Sequence, residues 1–275
     1  MTKTQYAGVG FSTLLHARWA LICEDLGVPW SYRPITFPLS GGSEYEPDFW
    51  LPQQRIWMQV PGEHASMPDY RRWREFAAAT EVNEHCTARH QYTPGMRCEA
   101  HGLHTIAPIR DSRWLANLVL YNVGDIPAPK EMTDIGPVDN QQQSMLTLLA
   151  GGYQWTRCAD CGTVTAAPQG LVGDLGCGHT SPSGAVESRA DDPGLMMAFG
   201  LARQTVAAEF DGGQCAYCDD PIAVGDLIAA GRPVRRRRWY HANCLLNSRR
   251  ERHQSDSTTA AAVPARGAAV QTINA

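Results

Sequence analysis

A chain of 275 residues that is 43% hydrophobic and 19% charged has the composition of a globular protein able to bury a core, in one large domain or several small ones. The apolar run Trp19-Ala20-Leu21-Ile22-Cys23 falls far short of the roughly 20 residues that span a bilayer. No basic segment followed by an apolar one marks a signal peptide, so a cytoplasmic protein with no membrane partner is expected.

The net charge of −4 conceals an uneven distribution. Residues 230–275 carry nine arginines against Glu251 and Asp256, a balance of +7, whereas residues 1–229 carry 15 basic and 26 acidic residues, a balance of −11. An acidic body with a basic end points to an anionic partner for that end.

In chain order, Ser12 to Gly27 reads as a helix. Ser12 or Thr13 can cap it, Leu15, Trp19, Ile22 and Leu26 recur at helical spacing, and Gly27 ends it. Three aromatic-rich extended stretches follow, Trp30–Phe37, Tyr45–Leu51 and Ile56–Val60, separated by Ser40-Gly41-Gly42 and Pro52-Gln53-Gln54. A second helix is predicted from Ser66 to Ala79, with Pro68 tolerated in its first turn. Residues 84–104 are a polar, histidine-rich insertion, and Leu115–Val123 reads as a buried strand before Gly124-Asp125-Ile126-Pro127 turns the chain. The order α-β-β-β-α-β predicts an α/β core over residues 1–135.

Beyond a Pro-rich link (Pro127, Pro129, Pro137), a short Gln-rich helix leads into a first cysteine group, and a helix is predicted from Pro193 to Phe210. These make a second unit over residues 136–212. A third covers 213–253. Residues 254–275 hold seven alanines and no aromatic residue, and are expected to be a disordered tail.

Six of the nine cysteines fall into two compact groups, each with a histidine placed to complete four ligands. An odd cysteine count without a secretion signal argues for metal rather than disulfides, and thiolates with imidazole favour zinc. The first group is Cys158-x2-Cys161 with Cys177-x-His179, joined by a Gly-rich loop containing Gly170, Gly173, Gly176 and Gly178. The second is Cys215-x2-Cys218, 22 intervening residues, then His241-x2-Cys244, which predicts a knuckle feeding a hairpin and a closing helix. Cys86, His90, Cys98 and His101 offer a possible third site, so two or three Zn2+ are expected. Cys23 reads as a small core residue.

Between and after the second group's ligands stand Arg232, Arg235, Arg236, Arg237, Arg238, Arg249, Arg250 and Arg252, with Trp239 and Tyr240 beside the run. Such a cluster can neutralise several phosphates while the rings stack on exposed bases. A surface for an acidic protein is the alternative.

Leu14-Leu15-His16-Ala17-Arg18-Trp19-Ala20, Leu26-Gly27-Val28-Pro29-Trp30-Ser31-Tyr32, Tyr45-Glu46-Pro47-Asp48-Phe49-Trp50-Leu51-Pro52 and Val123-Gly124-Asp125-Ile126-Pro127 together resemble the PD-(D/E)XK nuclease-like proteins of actinobacterial phages. Leu201-Ala202-Arg203 to Glu209-Phe210 is similar to the helix after the zinc ribbon of that family, and the first cysteine group resembles the ribbon itself. The second group resembles a treble-clef finger of the poly(ADP-ribose) polymerase type or the first half of a LIM domain.

The resemblance implies a restriction-endonuclease-like core whose carboxylates hold Mg2+ or Mn2+. Here the family's helix glutamate is His16, its strand glutamate is Gln59 and its lysine is Pro61, leaving Asp48 alone. A hydrolase built on those positions is expected to be inactive, with Asp48 capping a turn or pairing with an arginine. Relocated groups that could restore activity are Glu46, Glu63, His16 with a softer metal, and Arg71 or Arg72.

Three functions follow from this reading. The first is a non-catalytic nucleic-acid-binding protein, with DNA ahead of RNA. The others are a metal-dependent endonuclease with relocated residues, and an adaptor that uses the basic finger to hold an acidic protein.

Overall fold

The computed structural model describes residues 3–39, 42–61, 66–80, 97–98, 102–103, 114, 118–121, 125–126, 153–158, 160–168, 177, 179, 192–210, 213–230 and 238–261. The chain opens with a hairpin that the sequence does not announce, β1 (Thr4–Tyr6) against β2 (Val9–Phe11). Its turn places Ala7 at φ 50° and Gly8 at φ 76°, the pair of positive φ values that a tight right-twisting hairpin needs. Asn or Asp before the glycine is the usual signal, and alanine hides it.

Helix α1 (Leu14–Asp25) starts where expected. Thr13 is its N-cap and accepts from the His16 backbone N–H, while Gly27 at φ 68° reverses the chain beyond its end. Ala17, Trp19, Ala20, Leu21, Ile22 and Cys23 are all buried, so the helix is covered on nearly every side.

The extended stretches are more broken than their composition predicts. Trp30–Phe37 yields β3 (Ser31–Tyr32) and β4 (Phe37–Pro38), and Tyr45–Leu51 yields β5 (Glu44–Tyr45) and β6 (Phe49–Leu51). Pro34 and Pro47 stand in the two gaps, and neither has an N–H to give a ladder. Strand β7 (Ile56–Gln59) follows, then helix α2 (Met67–Thr80), whose first turn is capped by the Ser66 hydroxyl accepting from the Asp69 N–H. The short pair β8 (Arg97–Cys98) and β9 (Gly102–Leu103) lies in the insertion. Strand β10 (Leu118–Tyr121) completes a four-stranded sheet of order β10-β7-β6-β3. Its first three strands in the chain are antiparallel, and β10 joins β7 in parallel after α2. The α-β-β-β-α-β order predicted for this region is therefore present, with β4 and β5 as an added antiparallel pair.

Alternation gives the sheet two apolar faces. Phe49, Leu51, Ile56 and Met58 pack with α1, whereas Trp50 and Trp57 pack with Phe37, Tyr45, Trp73 and Phe76 on the α2 side. Trp50 and Trp57 are cross-strand partners with ring centroids 4.6 Å apart. The sheet is thus the middle of three layers.

The remaining elements close on the open side of α1. They are the hairpin β11 (Tyr153–Arg157)/β12 (Val164–Pro168), helix α3 (Pro193–Gln204), β13 (Thr205–Ala207), the pair β14 (Gly213–Gln214)/β15 (Pro221–Ile222), β16 (Leu227–Ala230), β17 (Trp239–His241) and helix α4 (Ala242–Ala261). Helix α3 ends at Gln204, short of the predicted Phe210. The branched Thr205 and Val206 turn into a strand against β16, and Arg18 donates to the Thr205 carbonyl at 2.8 Å. Helix α4 extends through 254–261, the first part of the stretch expected to be disordered.

One continuous apolar cluster joins Tyr6, Phe11 and α1 to Trp155, Val164, Leu195, Phe199, Leu227, Ala229, Leu245 and Leu246. The units read from the sequence at 1–135, 136–212 and 213–253 therefore share a core. The Pro-rich link and the Gln-rich helix lie outside the described residues. Among the described residues no helix is long and apolar enough to cross a membrane.

Candidate metal centres and a buried carboxylate cluster

Cys158, Cys161, Cys177 and His179 come together with their ligand atoms all within 4.8 Å of one another. Tetrahedral zinc with bonds of about 2.3 Å sets sulfur atoms about 3.8 Å apart, so this donor set fits one such ion. The β11/β12 turn shapes the first pair: the Gly162 N–H donates to the Cys158 carbonyl, and the Cys158 N–H to that of Thr163. Gly162 sits at φ 74°. Hydrogen bonding from Thr163, 3.2 Å from the sulfur, brings the Cys161 thiol down to about 6, favouring the thiolate that binds metal.

Cys215, Cys218, His241 and Cys244 form the second cluster under the same 4.8 Å limit. Cys215 and Cys218 lie in the turn joining β14 to β15, which is tied by the Cys215 N–H to the Asp220 carbonyl and the Asp219 N–H to that of Cys215. Cys244 sits in the first turn of α4, as the spacing predicts, whereas His241, expected on that same turn, ends β17 just before the helix begins. Burial pushes the Cys215 thiol up, but N–H groups of Cys218, Tyr217 and His241 outweigh it and settle it at about 7. Burial and the neighbouring thiols push Cys244 up to about 12, holding a proton that a bound metal ion would displace.

One contributor to this centre is not legible in the sequence. Asp226 Oδ2 lies 3.5 Å from His241 Nε2 and accepts from the Ala223 N–H at 2.8 Å. Asp226 belongs to neither ligand spacing, and only the fold brings it beside the imidazole.

Of the third proposed metal group, Cys98 lies on β8, while Cys86, His90 and His101 fall outside the described residues. Arg232 and Arg235, Arg236 and Arg237 also lie outside them. Arg238 is exposed at the edge of β17. Trp239 is half-buried against Phe210, with ring centroids 6.0 Å apart. Arg249 is half-buried, and Arg250 donates to the Glu24 carbonyl of α1 at 2.8 Å, fastening the closing helix to the core.

His16, Asp48 and Gln59, the positions the resemblance singled out, do converge, but their oxygens and nitrogens are taken by protein partners. Asp48 is completely buried. Its Oδ1 accepts from Arg33 Nη2 at 3.0 Å and Nε at 3.2 Å, and its Oδ2 accepts from the Val60 N–H at 2.9 Å. His16 Nε2 donates to the Val60 carbonyl at 2.9 Å and lies 3.3 Å from the same Oδ2. A carbonyl can only accept, so Nε2 carries a proton there, while Nδ1 faces the Ser12 and Tyr32 hydroxyls at 2.8 and 3.0 Å. Gln59 Oε1 accepts from the Tyr45 hydroxyl and the Asp48 N–H.

A hard divalent cation needs several free oxygen ligands, and these donors do not fit one. The relocated groups do not repair it. Glu46 turns to Arg33 at 3.5 Å, Arg72 pairs with Asp69 on α2, Arg71 is exposed, and Glu63 lies outside the described residues.

No protein-family model matches the chain, and neither a curated protein nor a solved structure matches it.

Proposed function

We propose that this chain is a zinc-containing nucleic-acid-binding protein, acting on DNA ahead of RNA, whose nuclease-like core has lost its chemistry. The observation that carries the reading is the second metal cluster. Its two ligand pairs flank residues 219–240 in the sequence, so the arginine-rich stretch at 232–238 falls in the chain between the two halves of one site. Arg249 and Arg252 continue the positive charge onto the closing helix. Three thiolates and one imidazole in each cluster make a soft donor set that supports zinc over Mg2+ or Mn2+.

The core reading is supported by the α-β-β-β-α-β order and by the meeting of His16, Asp48 and Gln59. The endonuclease alternative has no support in that cluster, because Asp48 gives its oxygens to protein donors.

The test is a salt-dependent titration of duplex DNA against the zinc-loaded chain, with and without Arg235–Arg238 replaced by glutamine. Each phosphate that the protein no longer neutralises lowers the slope of log K against log salt by about 0.9. Replacement of the run is expected to flatten the slope by several such steps, and an unchanged slope would remove its role. Elemental analysis is expected to return at least two zinc ions per chain, matching the two clusters.

A further inference from the structure

The Asp48 cluster holds two carboxylates and one cation. Arg33 lays its guanidinium between Asp48, reached through Nε and Nη2, and Glu46, reached through Nη1. The guanidinium carbon also stands 5.1 Å from the centre of the Tyr32 ring. The backbone is arranged for this approach. Arg33 sits at φ 45°, a left-handed conformation that L-residues avoid, and its N–H donates to the Asp48 carbonyl at 2.9 Å. Main chain and side chain of Arg33 therefore both close on Asp48.

We propose that Arg33 is the resident cation of this site, occupying with its guanidinium the space between Asp48 and Glu46 that a divalent ion would need, and so closing the core to metal. Arg33 then adds to the disagreement between the metal implied by the nuclease resemblance and the donors present, beside the lost motif carboxylates and the Val60 N–H on Oδ2. Arginine cannot shed its charge at any ordinary pH, and its fork saturates Asp48 Oδ1 from two directions. Removing the guanidinium leaves two carboxylates that had shared one cation without it, an arrangement expected to recruit Mn2+. The inference rests on the geometry around Asp48, so failure of DNA binding would leave it standing.

The experiment titrates Mn2+ into the full zinc-loaded chain and follows bound ion by electron paramagnetic resonance, with Tm measured in parallel. Wild type is expected to show no saturable Mn2+ site and no rise in Tm. Arg33→Gln is expected to gain a saturable site and a Tm that rises with Mn2+, and Asp48→Asn added to it is expected to abolish both. Equal Mn2+ binding by wild type, no gain in Arg33→Gln, or a gain that survives Asp48→Asn overturns the proposal. If Arg33→Gln does not fold alone, refolding yield with and without Mn2+ becomes the readout. Recovery by Mn2+ supports the proposal, and lack of recovery overturns it.

Discussion

His241 sits between a sulfur and a carboxylate: Nδ1 faces Cys218 Sγ at 3.6 Å while Nε2 faces Asp226 Oδ2 at 3.5 Å. A metal held through Nδ1 leaves Nε2–H for Asp226, which fixes the ring's tautomer and makes it a better donor to the ion. Asp226→Ala is expected to weaken zinc binding at this site by about 10–100-fold. Competition with a chromogenic chelator reads that loss, and the affinity at Cys158/Cys161/Cys177/His179 should not move.

Metal removal should not stay local. Leu227, Ala229, Leu245 and Leu246 come from the segments that carry the second ligand set, and they share one apolar cluster with α1. Structural zinc contributes about 10–16 kcal/mol of binding free energy in small finger peptides, so its loss has ample reach. Chelation, or Cys244→Ser, is expected to speed hydrogen exchange at the amides of α1 as well as α4. Faster exchange confined to 213–261 would show that the finger is energetically separate.

The turn at Ala7 offers a gain in stability. An L-residue at φ 50° bears strain that glycine does not, so Ala7→Gly is expected to stabilise the chain by up to about 1 kcal/mol in urea unfolding. Ala7→Val should cost more than it gains.

Asp25 gives a pH signature. Burial raises its pKa above the ordinary 3.8, and attraction from Arg249, Arg250 and Arg157 only partly offsets this. The folded state therefore disfavours the ionised form. Stability is lost as pH rises from the unfolded value through the raised folded one, and the loss is complete above it. Asp25→Asn is expected to be more stable than wild type near pH 8, with the advantage shrinking toward about pH 4. Urea denaturation across that range checks both the sign and the trend.

Some of this is legible in the sequence, and the rest is concealed for identifiable reasons. Thr13, the apolar spacing of α1 and Gly27 mark a helix by local chemistry, and the ligand pairs of both cysteine groups mark metal by spacing. Strands β3 to β6 are harder, because Trp and Tyr carry strand propensity through Pro34 and Pro47, where pairing stops. Thr205 reads as helical because nothing nearby in the chain reveals that Arg18 takes its carbonyl. Arg33 and Asp226 are hidden for the same reason. Each acts on a group brought to it by tertiary folding, and neither belongs to a spaced motif. The shared core is hidden likewise, since composition divides the chain where packing does not.

The bond from Arg250 to Glu24 spans 226 positions, and Gln5 pairs its N–H with the Gly225 carbonyl. Helix α1 thus gains cover from residues added more than two hundred peptide bonds after it. During synthesis, Trp19, Leu21 and Ile22 must wait without their final neighbours. The chain is then open to aggregation and proteolysis until residues 213–250 emerge, and any metal capture by Cys215, Cys218, His241 and Cys244 comes late in the covering of α1.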